Sequence, residues 1–340
     1  MQKKRLGTSD LWVSPIGMGT WAMAGQGWAY SWGAQDDADS LAALEHAVAR
    51  GVNWIDTAAV YGLGHAEAVV GQLLRKLPGS RRPLVFTKGS LVWDRATGEI
   101  SHSLAPRSLM TEIEDSLRRL AVEVIDLYQI HWPAFPPGGS SEGIEAGLAT
   151  LAKAKEQGKI RAIGVSNFDV AQLERAQAVT EIACLQPPYS ALMRDVEGQI
   201  LPYCEAARIG VIAYSTLQSG LLAGSMTRER IAQLPADDWR KSRSADFQEP
   251  RLSKNLALVE VLAQIGARHG VSAAAVAIAW VLRAPVVTGA IVGARRPAQV
   301  EGLLAAMQVR LGSDELEEIR PYLPEGVGTN VPGPQVEPAA

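Results

Sequence analysis

The chain has 340 residues, with 33 basic against 36 acidic side chains, 47% apolar and 6% aromatic residues, and a formal net charge of −3. This is an ordinary globular composition, long enough for two average domains or for one barrel of alternating strands and helices. A charge so close to balance leaves no footprint for nucleic acid, and no apolar run approaches a membrane span.

Cys184 and Cys204 are too few for a disulfide framework, and a chain of this size does not need one. The basic start Lys3-Lys4-Arg5 runs into Thr8-Ser9-Asp10 where a signal peptide would have an apolar stretch. The expectation is a cytoplasmic protein with no nucleic-acid or membrane partner. The sequence is silent on oligomeric state.

In chain order, the first pattern is a hairpin around Gly7-Thr8-Ser9-Asp10, placed to plug the bottom of a barrel. Strands are then predicted at 16–19, 53–56, 84–88, 125–130, 162–165, 183–186, 210–214 and 290–292. Most are continuous apolar runs, as parallel strands covered on both faces are. Helical patterns fall between them at 38–50, 66–77, 106–120, 142–157, 170–178, 199–207, 255–269 with 273–282, and 297–305. Asp36-Asp37 opens the first of these, and Pro106 and Pro297 sit where a first helical turn tolerates proline. The alternation predicts an α/β fold, a (β/α)₈ TIM barrel with an N-terminal β-hairpin, as one domain over residues 1–323. A polar insertion at 223–254 follows the seventh strand and is either a lid or a plain surface excursion. Residues 324–340 form a Pro/Gly-rich tail.

Barrel enzymes draw their chemistry from the C-terminal ends of the strands. Here Asp56 ends the second strand, Tyr61 follows in its loop, Lys88 ends the third and His131 the fourth. Ser166-Asn167, Gln186 and Tyr214-Ser215 close the fifth, sixth and seventh. Singly, each has an ordinary explanation as a cap, a surface strand end or a structural histidine. Together they suit one task. A phenol with a pKa of about 10 is a poor acid at neutral pH, and a neighbouring ammonium stabilises its phenolate. Asp56 would hold Lys88 charged and in place, and His131 would hydrogen-bond the substrate oxygen, orienting it or relaying a proton.

The stretches Gly51-Val52-Asn53-Trp54-Ile55-Asp56-Thr57-Ala58 with Tyr61-Gly62, Thr87-Lys88, Asp126-Leu127-Tyr128-Gln129-Ile130-His131, Gly164-Val165-Ser166-Asn167-Phe168, Tyr214-Ser215 and Ile291-Val292-Gly293-Ala294-Arg295 follow one another at the predicted strand ends. In this the chain resembles the aldo-keto reductase superfamily through most of its length. The resemblance implies reversible reduction of a small-molecule carbonyl to an alcohol by NADPH, without a metal, with Asp56, Tyr61, Lys88 and His131 as the catalytic tetrad and Tyr61 as the acid. It places Ser166, Asn167 and Gln186 on the nicotinamide carboxamide and Tyr214 against the ring. Ser215, Leu217, Ser219, Gly220 and Leu221 would follow the pyrophosphate. Gly293, Ala294, Arg295, Arg296 and Gln299 would surround the adenosine phosphate, where a helix start and a guanidinium favour the 2′-phosphate of NADP+. Gly302 and Leu303 stand where the family often has a Glu-Asn pair, which keeps NADH as an alternative. Trp21, Trp28, Trp32, Trp93 and Trp132 are candidate pocket walls, leaning towards aromatic, alicyclic or bulky carbonyls.

Three other readings compete. Gly17-Met18-Gly19-Thr20-Trp21-Ala22, with Asp37 beyond it, matches a dinucleotide fingerprint, but the glycines that follow would destabilise the helix it requires. A metal-dependent barrel hydrolase is disfavoured because, of the five histidines, only His131 ends a strand and no H-x-H pair occurs. A nicotinamide-sensing regulatory subunit with slow turnover would keep the same residues.

Overall fold

Eight short runs of apolar residues become the staves of a closed barrel. In the computed structural model, which describes residues 2–235 and 238–324, these are β1 (Ile16–Gly19), β2 (Trp54–Asp56), β3 (Leu84–Gly89), β4 (Ile125–Ile130), β5 (Ile160–Ser166), β6 (Cys184–Gln186), β7 (Gly210–Ala213) and β8 (Val287–Gly293). They pair in parallel in the order β6-β7-β8-β1-β2-β3-β4-β5, and β5 closes onto β6. The tail from residue 325 onward lies outside the described residues.

The helices lie close to where periodicity places them, at Asp37–Ala49, His65–Lys76, Pro106–Leu120, Ile144–Glu156, Val170–Gln177, Ile200–Ala206, Arg251–His269 with Ala273–Leu282, and Pro297–Leu304. Asp36 caps the first, its carboxylate accepting from the Ala38 and Asp39 N–H groups. Among the described residues no single helix is long and apolar enough to cross a membrane. The apolar helix Ala273–Leu282 is instead buried along nearly its whole length within the main core.

Strand parity divides the barrel interior into layers. Trp54, Phe86, Leu127, Cys184 and Ile212 form a lower apolar layer, and Leu6, Leu11 and Val13 of the N-terminal hairpin close it from below. The expected plug is therefore in place, its two short strands Lys4–Arg5 and Trp12–Val13 paired antiparallel.

The fingerprint-like glycines have a packing explanation. A Cβ on Gly17 would lie 2.1 Å from Cε2 of Trp54, so the indole that fills the barrel floor requires a glycine on the neighbouring strand. Only a 3-10 turn, Trp21–Met23, follows before the helix that starts at Asp37. No helix opens where a dinucleotide fingerprint needs one.

The insertion after β7 folds into short helices at Arg228–Ala232, Trp239–Ser242 and Ala245–Phe247 around a small apolar cluster of Leu221, Met226, Ile231, Phe247 and Leu252. It ends earlier than expected. The following helix begins at Arg251, not Asn255, because the Glu249 carboxylate accepts from the Ser253 N–H at 3.3 Å and from its hydroxyl at 2.7 Å.

The Trp54 contact is open to test by stability. Gly17→Ala is expected to cost at least about 1–3 kcal/mol in urea unfolding, the range for overpacking a core. An unchanged midpoint would contradict this account of Gly17.

Candidate active site

Above the apolar layer lies a polar one. Two residues beyond Trp54, Phe86, Leu127 and Cys184 come Asp56, Lys88, Gln129 and Gln186, all buried. Side chains two apart on a strand share a face, so these four also point into the barrel.

Lys88 is 1% exposed, and its ammonium has three hydrogens to place. Nζ donates to Asp56 Oδ1 at 2.5 Å, to the Thr57 carbonyl at 3.0 Å and to the Tyr61 hydroxyl at 3.4 Å. The other Asp56 oxygen accepts from Gln186 Nε2 at 2.8 Å and from Gln129 Nε2 at 3.5 Å. Burial pulls the Lys88 pKa below the ordinary ammonium value, and the Asp56 charge opposes it.

Tyr61 is 7% exposed. Burial, reinforced by the Asp56 charge, raises its phenol well above the usual value, so the phenol holds its proton at neutral pH. His131 meets the Tyr61 ring edge-on at 5.7 Å. Burial and the Lys88 charge hold its imidazole well below the usual pKa, and Nδ1 is buried without a hydrogen-bond partner. The four residues singled out in the sequence are therefore brought together, with a proton-holding phenol beside a neutral imidazole.

The tryptophans divide. Trp21 and Trp28 pack on Tyr61 at 5.1 and 6.2 Å between ring centres, Tyr30 joins them, and Trp132 belongs to the same apolar cluster. Trp32 lies against Arg240 of the insertion at 5.5 Å, so the loop after β1 and the insertion meet there. Trp93 faces Arg119 at 5.9 Å on a strand pair, Leu91–Trp93 with Ile100–His102, that follows β3.

The residues expected to hold a cofactor form two groups. In the first, the Tyr214 hydroxyl donates to Asn167 Oδ1 at 2.8 Å, Asn167 Nδ2 donates to the His131 carbonyl and to Ser166 Oγ at 3.0 Å each, and Ser166 Oγ donates to the Gln186 carbonyl at 2.8 Å. This chain runs directly into the tetrad. Gln186 itself spends its amide hydrogens on Asp56 and, at 3.3 Å, on Gln129 Oε1. Ser215, Ser219 and Gly220 take positive φ angles of 56°, 55° and 90° in the turn after β7. Leu217 is partly buried against the core, and Leu221 is fully buried, so only the backbone of Leu221 could face a ligand.

The second group follows β8. Gly293 ends the strand and Ala294 is buried. The Arg295 and Arg296 N–H groups donate to Gln299 Oε1 at 2.7 and 3.1 Å. The Arg295 guanidinium bonds two neutral acceptors, Gln35 Oε1 and the Ala34 carbonyl. Burial and the charges of Arg296 and Arg240 lower its pKa. Arg296 pairs with Asp39 at 3.4 Å and Arg240 with Asp238 at 2.7 Å, so the Arg295 guanidinium, held by neutral acceptors, is the charge that suits an anionic group.

Gln129, the Thr57 carbonyl and Arg240 escaped the sequence reading. Gln129 carries a usable signal, being polar, inward by parity and two residues before His131. Arg240 carries none, as one charge within a charged insertion. Among the described residues no group of three or more His, Cys, Asp or Glu side chains is placed to hold a metal.

Comparison with known proteins agrees with this geometry. The sequence profile of the Aldo/keto reductase family matches residues 15–323. An aldo-keto reductase of Bacillus subtilis is 33% identical over 336 residues, covering 98% of this chain and 97% of its own. An Escherichia coli protein named NADH-specific methylglyoxal reductase is 33% identical over 328 residues, covering 94% and 98%. The structure of a glycerol dehydrogenase from Gluconobacter oxydans superposes with a TM-score of 0.84 at 36% identity, covering 100% of this chain and 98% of that one.

The Asp56–Lys88 pair should dominate the local energetics. Asp56→Ala leaves a buried ammonium uncompensated and is expected to destabilise the fold by about 3–5 kcal/mol in chemical denaturation at pH 7, with much of the loss recovered in the double variant with Lys88→Met. A loss below about 1 kcal/mol would show that the pair is not isolated from water.

Proposed function

The chain belongs to the aldo/keto reductase family, and from that premise we propose that it reduces small aldehydes and ketones with NADPH, using Tyr61 as the proton donor, residues 1–323 serving as one catalytic domain. The observation that carries this reading is the third Lys88 hydrogen, aimed at the Tyr61 hydroxyl at 3.4 Å while the other two are held by Asp56 and the Thr57 carbonyl. A bound nicotinamide supplies the hydride.

The chain's own residues manage the proton. Tyr61 holds one at neutral pH and donates it to the carbonyl oxygen as that oxygen gains charge. The Lys88 ammonium stabilises the phenolate that results. Asp56, braced by Gln186 and Gln129, keeps the ammonium from turning to other acceptors. The neutral His131 hydrogen-bonds the carbonyl oxygen and orients it without competing as an acid.

The residues present fit a nicotinamide dinucleotide at both ends. The Tyr214 ring, fixed through its hydroxyl to Asn167, offers a flat face beside the tetrad. Arg295, whose guanidinium is held by neutral acceptors, offers positive charge beyond β8 that suits a 2′-phosphate. The substrate reading narrows as well. Trp21 and Trp28, backed by Tyr30, pack so closely on Tyr61 that little of it is exposed, which supports a small oxygenated carbonyl over the bulky ketones suggested by tryptophan content alone. The names of two relatives, a methylglyoxal reductase and a glycerol dehydrogenase, point the same way.

Tyr61→Phe is expected to abolish carbonyl-dependent NADPH oxidation, by about 10²–10⁴-fold or more, with cofactor affinity retained. Tight cofactor binding without turnover in the unaltered protein, for every small carbonyl tried, would favour a sensor instead.

Cofactor choice gives a separate test. Arg295→Ala is expected to weaken NADPH binding by about 1.5–3 kcal/mol, the value of a charge-assisted contact, and NADH binding far less. Because the guanidinium also braces Ala34 and Gln35, the difference between the two cofactors is the informative quantity. Equal losses would remove the 2′-phosphate assignment.

A further inference from the structure

One peptide group joins the strand that carries Lys88 to the segment that carries His131. The carbonyl of Gly89 accepts from the His131 backbone N–H at 2.9 Å. On the other side of the same peptide, the Ser90 N–H donates to Glu112 Oε2 at 2.8 Å. Glu112 reaches it from the helix Pro106–Leu120 and is 7% exposed, with its second oxygen accepting from the Ser108 hydroxyl at 3.2 Å. Ser90 is fully buried at a φ of +88°, a region that L-residues avoid, so its conformation has to be held by its surroundings. The approach is close. A Cβ on Gly89 would lie 2.3 Å from the Tyr128 hydroxyl and 3.1 Å from Glu112 Oε2.

We propose that Glu112 is a positioning residue, whose carboxylate fixes the Gly89–Ser90 peptide and through it sets Lys88 and His131 relative to each other for proton transfer. The inference rests on the reductase reading above. A charged acceptor binds an amide N–H more strongly than a neutral one, and it polarises the peptide so that the carbonyl becomes a better acceptor for His131.

Glu112 is also placed to titrate. Burial is the largest influence and raises its pKa to about 7; the Ser90 N–H, the Ser108 hydroxyl and the Arg119 charge oppose this, and the Glu67 charge adds to it. Tyr128 faces it from β4, while Arg95, Arg107 and Asp115 join it in lining the cleft of about 430 Å³ on its outer side. Burial pushes the Tyr61 phenol up and the His131 imidazole down, away from Glu112, and burial also pulls down His102, which shares the Trp132 carbonyl with Ser90, so the Glu112 variant is what assigns a change near pH 7.

The test is the single-turnover rate of NADPH oxidation with a small aldehyde, such as methylglyoxal, as a function of pH. The unaltered protein is expected to slow about fivefold as the pH falls through 7, the size of losing one charge-assisted contact. Glu112→Gln, close to isosteric and without a proton to gain, is expected to lose this step while binding NADPH as before. Ser108→Ala removes a donor that favours the charged carboxylate, so it is expected to move the step to higher pH, which keeps the inference testable should Glu112→Gln fail to fold. A step that survives in Glu112→Gln, or that Ser108→Ala leaves in place, overturns the role of Glu112 alone. Absence of turnover in the unaltered protein overturns the reductase reading and this inference with it.

Discussion

A lysine buried at the centre of a barrel is tolerable only if each of its hydrogens has an acceptor, and the arrangement around Lys88 follows from that constraint. Asp56 must approach from β2, the Thr57 carbonyl must turn inward just beyond it, and the third hydrogen is left for the Tyr61 hydroxyl. The same burial that makes the ion pair costly in isolation keeps water from competing for it. The placement of Asp56 and Tyr61 is thus the outcome of satisfying one buried cation, and the proposed chemistry uses the one donor direction that satisfaction leaves over.

Two layers of the barrel divide the work. The lower one, from Trp54 to Ile212 and closed by the N-terminal hairpin, is apolar and holds the strands in register. The upper one is polar and carries Asp56 and Lys88. Because the two lie one two-residue repeat apart on the same strands, a shift that disturbed Trp54 would displace Asp56 directly above it. The residues proposed to hold the cofactor lie elsewhere, in the Tyr214–Asn167 chain on one side and the cationic loop after β8 on the other. The loop after β1 links these regions, since Trp21 packs on Tyr61, Gln35 bonds Arg295 and Trp32 meets Arg240 of the insertion.

Much of this was legible in the sequence. Parallel strands covered on both faces are written as apolar runs, and a terminal Asp, Lys or His on such a run has no packing reason to be there. What stayed hidden depends on neighbours distant along the chain. Gly17 and Gly19 read formally as a cofactor fingerprint, whereas the need for Gly17 comes from Trp54 on the adjacent strand. Glu112 sits in an amphipathic helix rich in polar residues, and nothing in that pattern tells that it turns inward to a strained serine. The tryptophans showed a bulky aromatic content without showing that they would pack on one another and narrow the site. The helix start at Arg251 moved because Glu249 accepts from Ser253, a contact that periodicity does not encode.

The claim on which the rest depends is that Lys88 is present for proton transfer and not for cofactor binding or for folding alone. The most direct measurement is the hydride-transfer rate of Lys88→Met beside its NADPH dissociation constant in the same preparation. The account predicts an affinity close to that of the unaltered protein and a rate lower by about 10²–10⁴-fold. A folded Lys88→Met protein that turns over within about tenfold of the unaltered rate would contradict it.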